Sequence, residues 1–298
     1  MKKGKLALCY LLFAGSLTVS AQDYAFKVLA NKGSNEHKSG DAWQPLRTGA
    51  SLNANDEIKI SDNAYIGMVH VTGKPLEIKQ PGTYTVMALA EKIKQGSTVL
   101  SKYTDFIMSS NSAEAKKNRL SATGAVHRGE SSEAIELLLP GNHDAHIFNN
   151  TATVIWESTD VEGPYIVTLR NMFEDKILTF ETTESKYTVD LSSPALAREN
   201  AILVEVKSKA DAKKASSQYM IKRLTPADAS KVGELLSQIS DEVKESTALN
   251  QMILAVFFEQ NKLYIDAISA YNNAISLAPE VPEYKAAFEE FLLRQGIK

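Results

Sequence analysis

The residues best suited to bind a metal ion are His143 and His146, which follow Pro140-Gly141. Imidazole nitrogens are common zinc ligands, and in a helix two positions three residues apart would be neighbours. Pro-Gly favours a loop, however, and a zinc site needs three or four ligands, whereas the sequence has no third candidate at a characteristic spacing. We therefore expect both histidines on a surface loop and predict neither a metal site nor a cofactor.

No combination of residues matches a catalytic motif. Ser61-Asp62-Asn63 matches one element of the penicillin-binding enzymes, but no Ser-x-x-Lys or Lys-Thr-Gly accompanies it, so a turn is the simpler interpretation. The sequence also lacks a nucleophile elbow, a phosphate-binding glycine loop, a His-Glu-x-x-His helix and a dinucleotide fingerprint. We therefore predict no catalytic residues and a protein that is not an enzyme.

The first 21 residues have the pattern of a secretory signal peptide. Lysines at positions 2, 3 and 5 precede an apolar run from Leu6 to Phe13, and Val19-Ser20-Ala21 supplies small residues before Gln22. This apolar run is too short for a stable transmembrane helix. We expect cleavage after Ala21 and a mature protein without a transmembrane segment, located in the periplasm, at the outer membrane or outside the cell.

Charge and cysteine content limit the possible partners. Residues 1–21 contain three lysines and no acids, so cleavage leaves 30 Lys and Arg against 36 Asp and Glu, a net charge of about −6. A mildly acidic chain without a basic, aromatic-rich patch argues against nucleic acid. The one cysteine, Cys9, lies within the predicted leader, so the mature chain forms no disulfide.

Residues 22–88 read as about five short strands separated by turns. Six positions within them follow the pattern Trp-x-x-Leu-x-x-Gly-x-x-Leu-x-x-x-Asp-x-Ile: Trp43, Leu46, Gly49, Leu52, Asp56 and Ile58. This pattern resembles the FecR-type β domain, named for iron-dicitrate sensing regulators and common in bacterial envelope proteins, over residues 24–88. The anti-sigma segment and transmembrane helix of those regulators have no counterpart here, so their signalling role does not carry over.

The residue types of this motif indicate packing and turn roles rather than ligand binding. We expect Trp43 and Leu46 in the core, Gly49 in a turn that needs positive φ, and Asp56 bonded to a turn backbone. From position 84 to 88 apolar residues alternate as in a strand, and from 89 to 108 they recur at spacings of three and four, which predicts a helix with a weak point at Gly96. We expect this helix to cover one face of the preceding sheet.

Residues 109–134 contain few large apolar side chains and are predicted to form a flexible linker. Turn residues then separate seven candidate strands, at 135–139, 153–156, 165–170, 176–182, 186–189, 202–207 and 218–222. Trp156, followed by a strand that begins at Tyr165, resembles an immunoglobulin-like or fibronectin type III sandwich. We expect Trp156 to anchor its core.

From Thr225 onward, apolar residues follow helical spacing to the end of the chain. Seven residues fall at the signature positions of a tetratricopeptide repeat: Leu254, Ala255, Phe258, Ala267, Tyr271, Ala274 and Pro279. The resemblance covers one repeat, about residues 248–281, with a further helix on each side. A peptide-binding groove normally needs three or more repeats, so a small helical bundle that docks another protein is an equal alternative.

These features predict a multidomain protein: an all-β FecR-like domain, an immunoglobulin- or fibronectin III-like β-sandwich and a C-terminal all-α bundle. The predicted boundaries are a signal peptide at 1–21, a FecR-like domain with its helix at 22–108, a linker at 109–134, a sandwich at 135–224 and helices at 225–298. We expect a non-enzymatic scaffold that binds envelope proteins through its C-terminal helices. We also expect both β modules to fold without residues 226–298.

The alternative is a carbohydrate-binding or carbohydrate-active envelope protein with a glycan partner. That function requires aromatic side chains exposed on one face, and the candidates are Trp43, Trp156 and Tyr165. The sequence places both tryptophans at positions typical of core anchors. The exposure of these rings therefore discriminates between the two hypotheses.

Overall fold

The computed structural model describes residues 24–93, 99–110 and 134–297. The predicted leader and residues 111–133 of the predicted linker lie outside the described residues. Within them, two β-rich regions precede a helical region that extends to Gln295, which confirms the predicted order of β and α structure.

The N-terminal β unit contains two antiparallel sheets of four strands each, in the orders β4-β1-β6-β7 and β3-β2-β5-β8. Its strands are β1 (Phe26–Lys32), β2 (Glu36–Lys38), β3 (Trp43–Pro45), β4 (Ser51–Leu52), β5 (Glu57–Ile60), β6 (Tyr65–His70), β7 (Pro75–Ile78) and β8 (Gly82–Thr85). Apolar residues from both sheets form a core of their own, which includes Phe26, Leu52, Ile58 and Met68.

The chain turns into a helix where the sequence predicted a strand. β8 ends at Thr85, and α1 (Val86–Glu91) begins directly after it. The Thr85 hydroxyl accepts a hydrogen bond from the Ala88 amide at 3.4 Å, and such a cap stabilises a helix N-terminus. Val86 and Leu89 are buried in the same core as the two sheets. The alternation over 84–88 was therefore misleading, because α1 buries Val86 and Leu89, three positions apart, and leaves Ala88 exposed.

Residues 89–108 do not form the single helix that the sequence predicted. After α1 ends, α2 (Ser101–Ser110) forms a separate helix, and Gly96 lies outside the described residues. Leu100, Tyr103 and Ile107 belong to a core that also includes Leu29, Ala30 and Val69 of the preceding sheet. The Tyr103 ring of α2 meets the Phe257 ring of the C-terminal helices edge to face, with centroids 5.6 Å apart. α2 thus packs with the helical region as well.

The second β unit has a five-stranded sheet, β10-β16-β15-β12-β13, and a three-stranded sheet, β14-β11-β9. Its strands are β9 (Ile135–Leu137), β10 (His146–Ile147), β11 (Thr151–Ser158), β12 (Tyr165–Arg170), β13 (Lys176–Thr182), β14 (Lys186–Asp190), β15 (Ala201–Ser208) and β16 (Tyr219–Arg223). All seven predicted strands overlap observed ones, whereas β10 was missed. Trp156 is 2% exposed and packs edge to face on Tyr165, as expected of a core anchor.

The C-terminal helices are α3 (Pro226–Ser237), α4 (Ser240–Val243), α5 (Ala248–Gln260), α6 (Tyr264–Leu277) and α7 (Pro282–Gln295). Thr225 and Thr247 accept hydrogen bonds from backbone amides at the starts of α3 and α5. α7 ends at Gly296, which adopts the left-handed conformation that glycine tolerates best.

One continuous core joins these helices to the second β unit and to one face of β1 and β6. It includes Trp156 and Val204 from the sheets, Ile253 and Tyr271 from the helices, and Tyr103 from α2. The predicted boundary at 224/225 therefore separates two kinds of secondary structure that share a single core.

Candidate functional site

The tetratricopeptide-like residues build a helical hairpin from α5 and α6. Ala255, Ala267 and Ala274 are fully buried, so the two helices approach without large side chains between them. Phe258 and Tyr271 are also buried, Leu254 is half-buried, and Pro279 lies in the exposed turn after α6. These positions serve the packing of the hairpin.

A buried carboxylate fastens α7 to this hairpin. Glu259 of α5 accepts two hydrogen bonds from the Arg294 guanidinium, Nε to Oε1 at 3.0 Å and Nη2 to Oε2 at 2.9 Å. The Tyr271 hydroxyl donates to Oε2 at 3.1 Å, and the Gln295 amide donates to Oε1 at 3.1 Å. Such paired, charge-assisted bonds satisfy a carboxylate that is shielded from water.

This network shifts the proton affinity of its members. Burial, and then the Glu259 charge, raise the pKa of Tyr271 well above its ordinary value. For Arg294, burial works to lower the pKa, but hydrogen bonding to Glu259 and its charge outweigh that effect and raise it. Both side chains therefore stay protonated, and the network acts as a fixed joint between α5, α6 and α7.

A groove between α5 and α7, here called the α5–α7 groove, holds α2. Its residues are Met252, Val256 and Phe257 on α5 and Ala287, Glu290 and Arg294 on α7. The Arg294 guanidinium lies over the Phe106 ring of α2, 5.2 Å from the ring centroid. Cation–π contacts of this kind add to apolar burial.

Two acidic side chains join the helices to the N-terminal β unit. Glu77 of β7 accepts a hydrogen bond from the Leu249 amide at 2.6 Å, which places its carboxylate at the positive end of α5. Glu283 of α7 accepts from the Thr48 hydroxyl at 2.6 Å and from the Asn31 amide at 3.3 Å.

A pair of buried tyrosines lies at the same joint. The hydroxyls of Tyr65 on β6 and Tyr284 on α7 are hydrogen-bonded at 2.5 Å, and their rings pack edge to face. Burial raises the pKa of both tyrosines far above the usual range, and the Glu77 carboxylate adds to the effect. The pair is therefore neutral and contributes a hydrogen bond within an apolar contact.

A third buried acid joins α6 to the second β unit. Asp266 is 1% exposed and accepts hydrogen bonds from the Phe148 amide at 2.8 Å and the Asn149 amide at 2.9 Å. One helical turn later, the Ser269 hydroxyl oxygen accepts from the Thr153 amide at 2.9 Å. Burial raises the pKa of Asp266 to about 6, although the two backbone hydrogen bonds oppose that shift.

The FecR-like residues serve packing and turns, with one exception. Leu46, Leu52 and Ile58 are buried, Gly49 has φ of 90°, and Asp56 accepts a hydrogen bond from the Asn53 amide at 2.8 Å. The predicted roles of Leu46, Gly49 and Asp56 are therefore confirmed.

The prediction that Trp43 lies in the core is wrong. Trp43 is 37% exposed on β3, which is an edge strand. It pairs with Lys38, which in turn pairs with Glu57, and paired residues share a face of a sheet. The neighbouring Ile58 points the opposite way into the core, so Trp43 lies on the outer face.

The two histidines are not brought together as ligands. His143 is exposed in a single 3₁₀ turn, whereas His146 is half-buried in β10, opposite Lys222 of β16. The expected surface loop is thus correct for His143 and wrong for His146. Across residues 24–93, 99–110 and 134–297, no three potential metal ligands cluster.

The buried acids were not predicted from the sequence, because none of them belongs to a motif. Asp266 and Glu259 did carry one signal: each interrupts or ends a run of apolar residues, most of which are buried. An acid in such a place has to find buried hydrogen-bond donors, and here it finds them on a neighbouring element.

The sequence matches no model of a known protein family, and a search of curated proteins gives no match. Among the helices of the described residues, none combines the length and apolar character needed to cross a bilayer.

Proposed function

We propose that this chain is a non-enzymatic, exported cell-envelope protein that acts as a protein-interaction scaffold. The observation that carries the proposal is the pair of joints through which the C-terminal helices bind both β units. At each joint a carboxylate accepts hydrogen bonds from backbone amides of a neighbouring element. Glu77 and Glu283 do so at the joint with the N-terminal β unit, and Asp266 does so at the joint with the second β unit.

Joints of this kind favour a fixed arrangement of the parts. Separating the surfaces would exchange these hydrogen bonds for bonds to water, and a hydrogen bond to a charged group contributes about 1.5–3 kcal/mol net. A scaffold needs such rigidity in order to present several surfaces at once. Exposed leucines on the C-terminal helices, Leu235, Leu277 and Leu293, support partner contact on that side.

Export rests on the leader-like pattern of residues 1–21 and on a remainder without cysteine. Sequencing of the protein from cell fractions tests it directly. We expect an N-terminus at Gln22 in the envelope or extracellular fraction. An intact Met1 on protein in the cytoplasmic fraction would contradict export.

In-cell crosslinking followed by mass spectrometry of the envelope fraction tests the scaffold. We expect reproducible crosslinks from lysines of this chain to defined envelope proteins. A chain with Asp266→Ala, in which the joint to the second β unit is weakened, should lose part of these crosslinks. A chain with Asp241→Ala, changed at an exposed position of α4, is the matched control. Crosslinks confined to the chain itself would contradict the proposal.

A second candidate function, glycan binding, is favoured by the exposure of Trp43. Its ring lies on an open sheet face among the polar side chains of Lys38, Glu57 and Thr85. Stacking on an aromatic ring with polar groups nearby is suited to a sugar. On a glycan array, Trp43→Ala should abolish binding that Trp43→Phe retains. An absence of signal for the unaltered chain would rule out glycan binding as its function.

A further inference from the structure

The hairpin between β12 and β13 presents two neighbouring apolar side chains to solvent. Phe173 is 86% exposed and Met172 is 49% exposed. Neither belongs to a hydrophobic core of the described residues. Isolated exposed apolar residues are ordinary on protein surfaces, but these two lie side by side at the tip of a hairpin. Their side chains contribute to no core, so we looked for a role outside the chain.

Hydrogen bonds hold this tip in one conformation. The Asn171 side-chain oxygen accepts from the Phe173 amide at 2.9 Å and from the Asp175 amide at 3.0 Å. The Asn171 carbonyl accepts from the amide of Glu174, which has φ of 66°, at 3.0 Å. None of these bonds involves the Phe173 ring, so the turn does not require an aromatic residue there. Because the tip is already ordered, a partner that buries Phe173 pays little conformational entropy on binding.

The same hairpin ends in the longest edge strand of the described sheets. β13 has seven residues and pairs with β12 alone, and within the described part of the chain its backbone makes no hydrogen bond to any other strand. Proteins usually guard such an edge with charged residues, proline or bulges. The central positions 177–180 read Ile-Leu-Thr-Phe and carry neither a charge nor a proline. This edge is therefore open to pairing with an extended chain.

The charges around the tip favour a protein partner over a membrane. Glu174 and Asp175 follow Phe173 directly, and both are exposed. Arg170 is already engaged, with Nη2 3.7 Å from the Glu205 carboxylate and Nη1 donating to the Glu174 carbonyl at 3.2 Å. Basic residues beside an apolar group strengthen binding to anionic lipid, and acids oppose it. Exposed carboxylates beside the ring instead suit a protein pocket with basic groups at its rim.

We propose that the β12–β13 hairpin is a docking site for a second, different protein, which adds an extended segment to the edge of β13 and buries Phe173 in an apolar pocket with basic residues at its rim. Phe173 is the anchor, since a few side chains buried in pockets supply most of the binding energy at an interface. The β13 backbone adds hydrogen bonds that do not depend on the partner's side chains. This inference rests on the proposed interaction function and names the surface and the class of partner.

Photocrosslinking in cells tests the contact at the tip. One chain carries p-benzoylphenylalanine in place of Phe173, and a control chain carries it in place of Met87, which is 49% exposed on α1. We expect an adduct with one defined protein at position 173, joined within an apolar pocket of that protein, and no such adduct at position 87. An adduct with lipid, an adduct with a second copy of this chain, or no adduct at position 173 would overturn the proposal.

The affinity of the purified partner for the mature chain measures what the tip contributes. Phe173→Ala should weaken binding at least about tenfold, and Glu174→Lys should slow association severalfold at low salt. Met87→Ala and Glu91→Lys, changed at exposed positions of α1, are the matched controls and should bind as the unaltered chain does. Circular dichroism checks that the variants stay folded. Equal affinity of a folded Phe173→Ala chain and the unaltered chain would overturn the proposal.

Hydrogen exchange tests the pairing at the edge. The β13 amides that face away from β12 should exchange at least about tenfold more slowly when the partner is bound, because they then donate to an added strand. The amides of β6, in the other β unit, should exchange as before. Unchanged exchange throughout β13 in the complex would also overturn the proposal.

The two proposals fail in different ways. Lysine crosslinks to envelope proteins without an adduct at position 173 would keep the scaffold and remove the hairpin as its docking site. An adduct at position 173 with a cytoplasmic protein, on a chain that retains Met1, would keep the hairpin site and remove the envelope function.

Discussion

At the scale of single residues, the Glu259 carboxylate accepts hydrogen bonds from three side chains, those of Arg294, Tyr271 and Gln295. Glu259→Gln removes the charge and turns one acceptor into a donor that faces the guanidinium. We expect a loss of about 2–3 kcal/mol in the free energy of unfolding, less than for a fully buried ion pair because the Arg294 side chain is 33% exposed.

Urea unfolding measures this loss, and Glu289→Gln supplies the control. Glu289 makes an exposed ion pair with Lys285 on α7, the helix that carries Arg294, at 3.9 Å, and such pairs contribute about 0–1 kcal/mol. Equal effects of the two substitutions would show that the Glu259 network adds no more than a surface pair.

Asp266 predicts an unusual dependence of stability on pH. Its pKa is raised by burial from 3.8 to about 6 in the folded chain, so the folded state binds a proton more readily than the unfolded state between these values. The contribution of this group to stability therefore rises as pH falls from 7 to 4. The linkage corresponds to about 3 kcal/mol over the whole range.

Comparison with Asp266→Asn isolates that contribution, because the amide does not titrate. Thermal unfolding at a series of pH values should show that the stability difference, unaltered chain minus variant, grows on acidification. A difference that shrinks on acidification would mean that the carboxylate has a depressed pKa. The backbone amides of Phe148 and Asn149 would then outweigh its burial.

Residue types that act locally could be predicted from the sequence. Gly49 and Asp56 serve turns within a few positions, and Leu46 simply needed an apolar environment. Trp43 could not be placed, because its exposure depends on the strand order that leaves β3 at a sheet edge. Asp266 could not be placed either, because its two donors lie more than one hundred residues away in sequence.

At the scale of elements, the α5–α6 hairpin depends on its alanines. Ala267 is fully buried, so Ala267→Leu would force the two helices apart. Overpacking of this kind usually costs about 1–3 kcal/mol in stability. The same substitution at Ala286, which is half-buried on α7, should change stability by less than about 1 kcal/mol. Chemical denaturation of both variants measures the contrast, and similar losses would argue against close approach at Ala267.

Helix boundaries show where periodicity is informative and where it fails. The predicted start of the helices at Thr225 is correct, and in the structure the Thr225 cap and Pro226 fix it within one turn. The apolar residues around position 86 fitted a strand as well as a helix, and only burial in the N-terminal core distinguishes the two. The partner of α2 was not predictable, because an apolar stripe does not specify which surface covers it.

At the scale of the whole molecule, the helices connect parts that the sequence suggested were independent. The N-terminal β unit has a core of its own, but Glu77 and Tyr65 also bond to α5 and α7. The second β unit has no separate core, since its buried residues continue into α5 and α6. The parts that look like separate domains in the sequence are therefore not independent of one another in stability.

Removal of residues 226–298 tests this conclusion. Contrary to the expectation from sequence, we now predict that the second β unit does not stay folded without the helices. The truncated chain should lose protection from hydrogen exchange throughout β11 and β12, because the deletion exposes the apolar residues they share with α6 and leaves the Phe148 and Asn149 amides without Asp266. Strands β1 and β6 should keep more of their protection, since Phe26, Val28, Ile66 and Met68 belong to the separate N-terminal core. Full protection of β11 and β12 in the truncated chain would show that the second β unit folds without the helices.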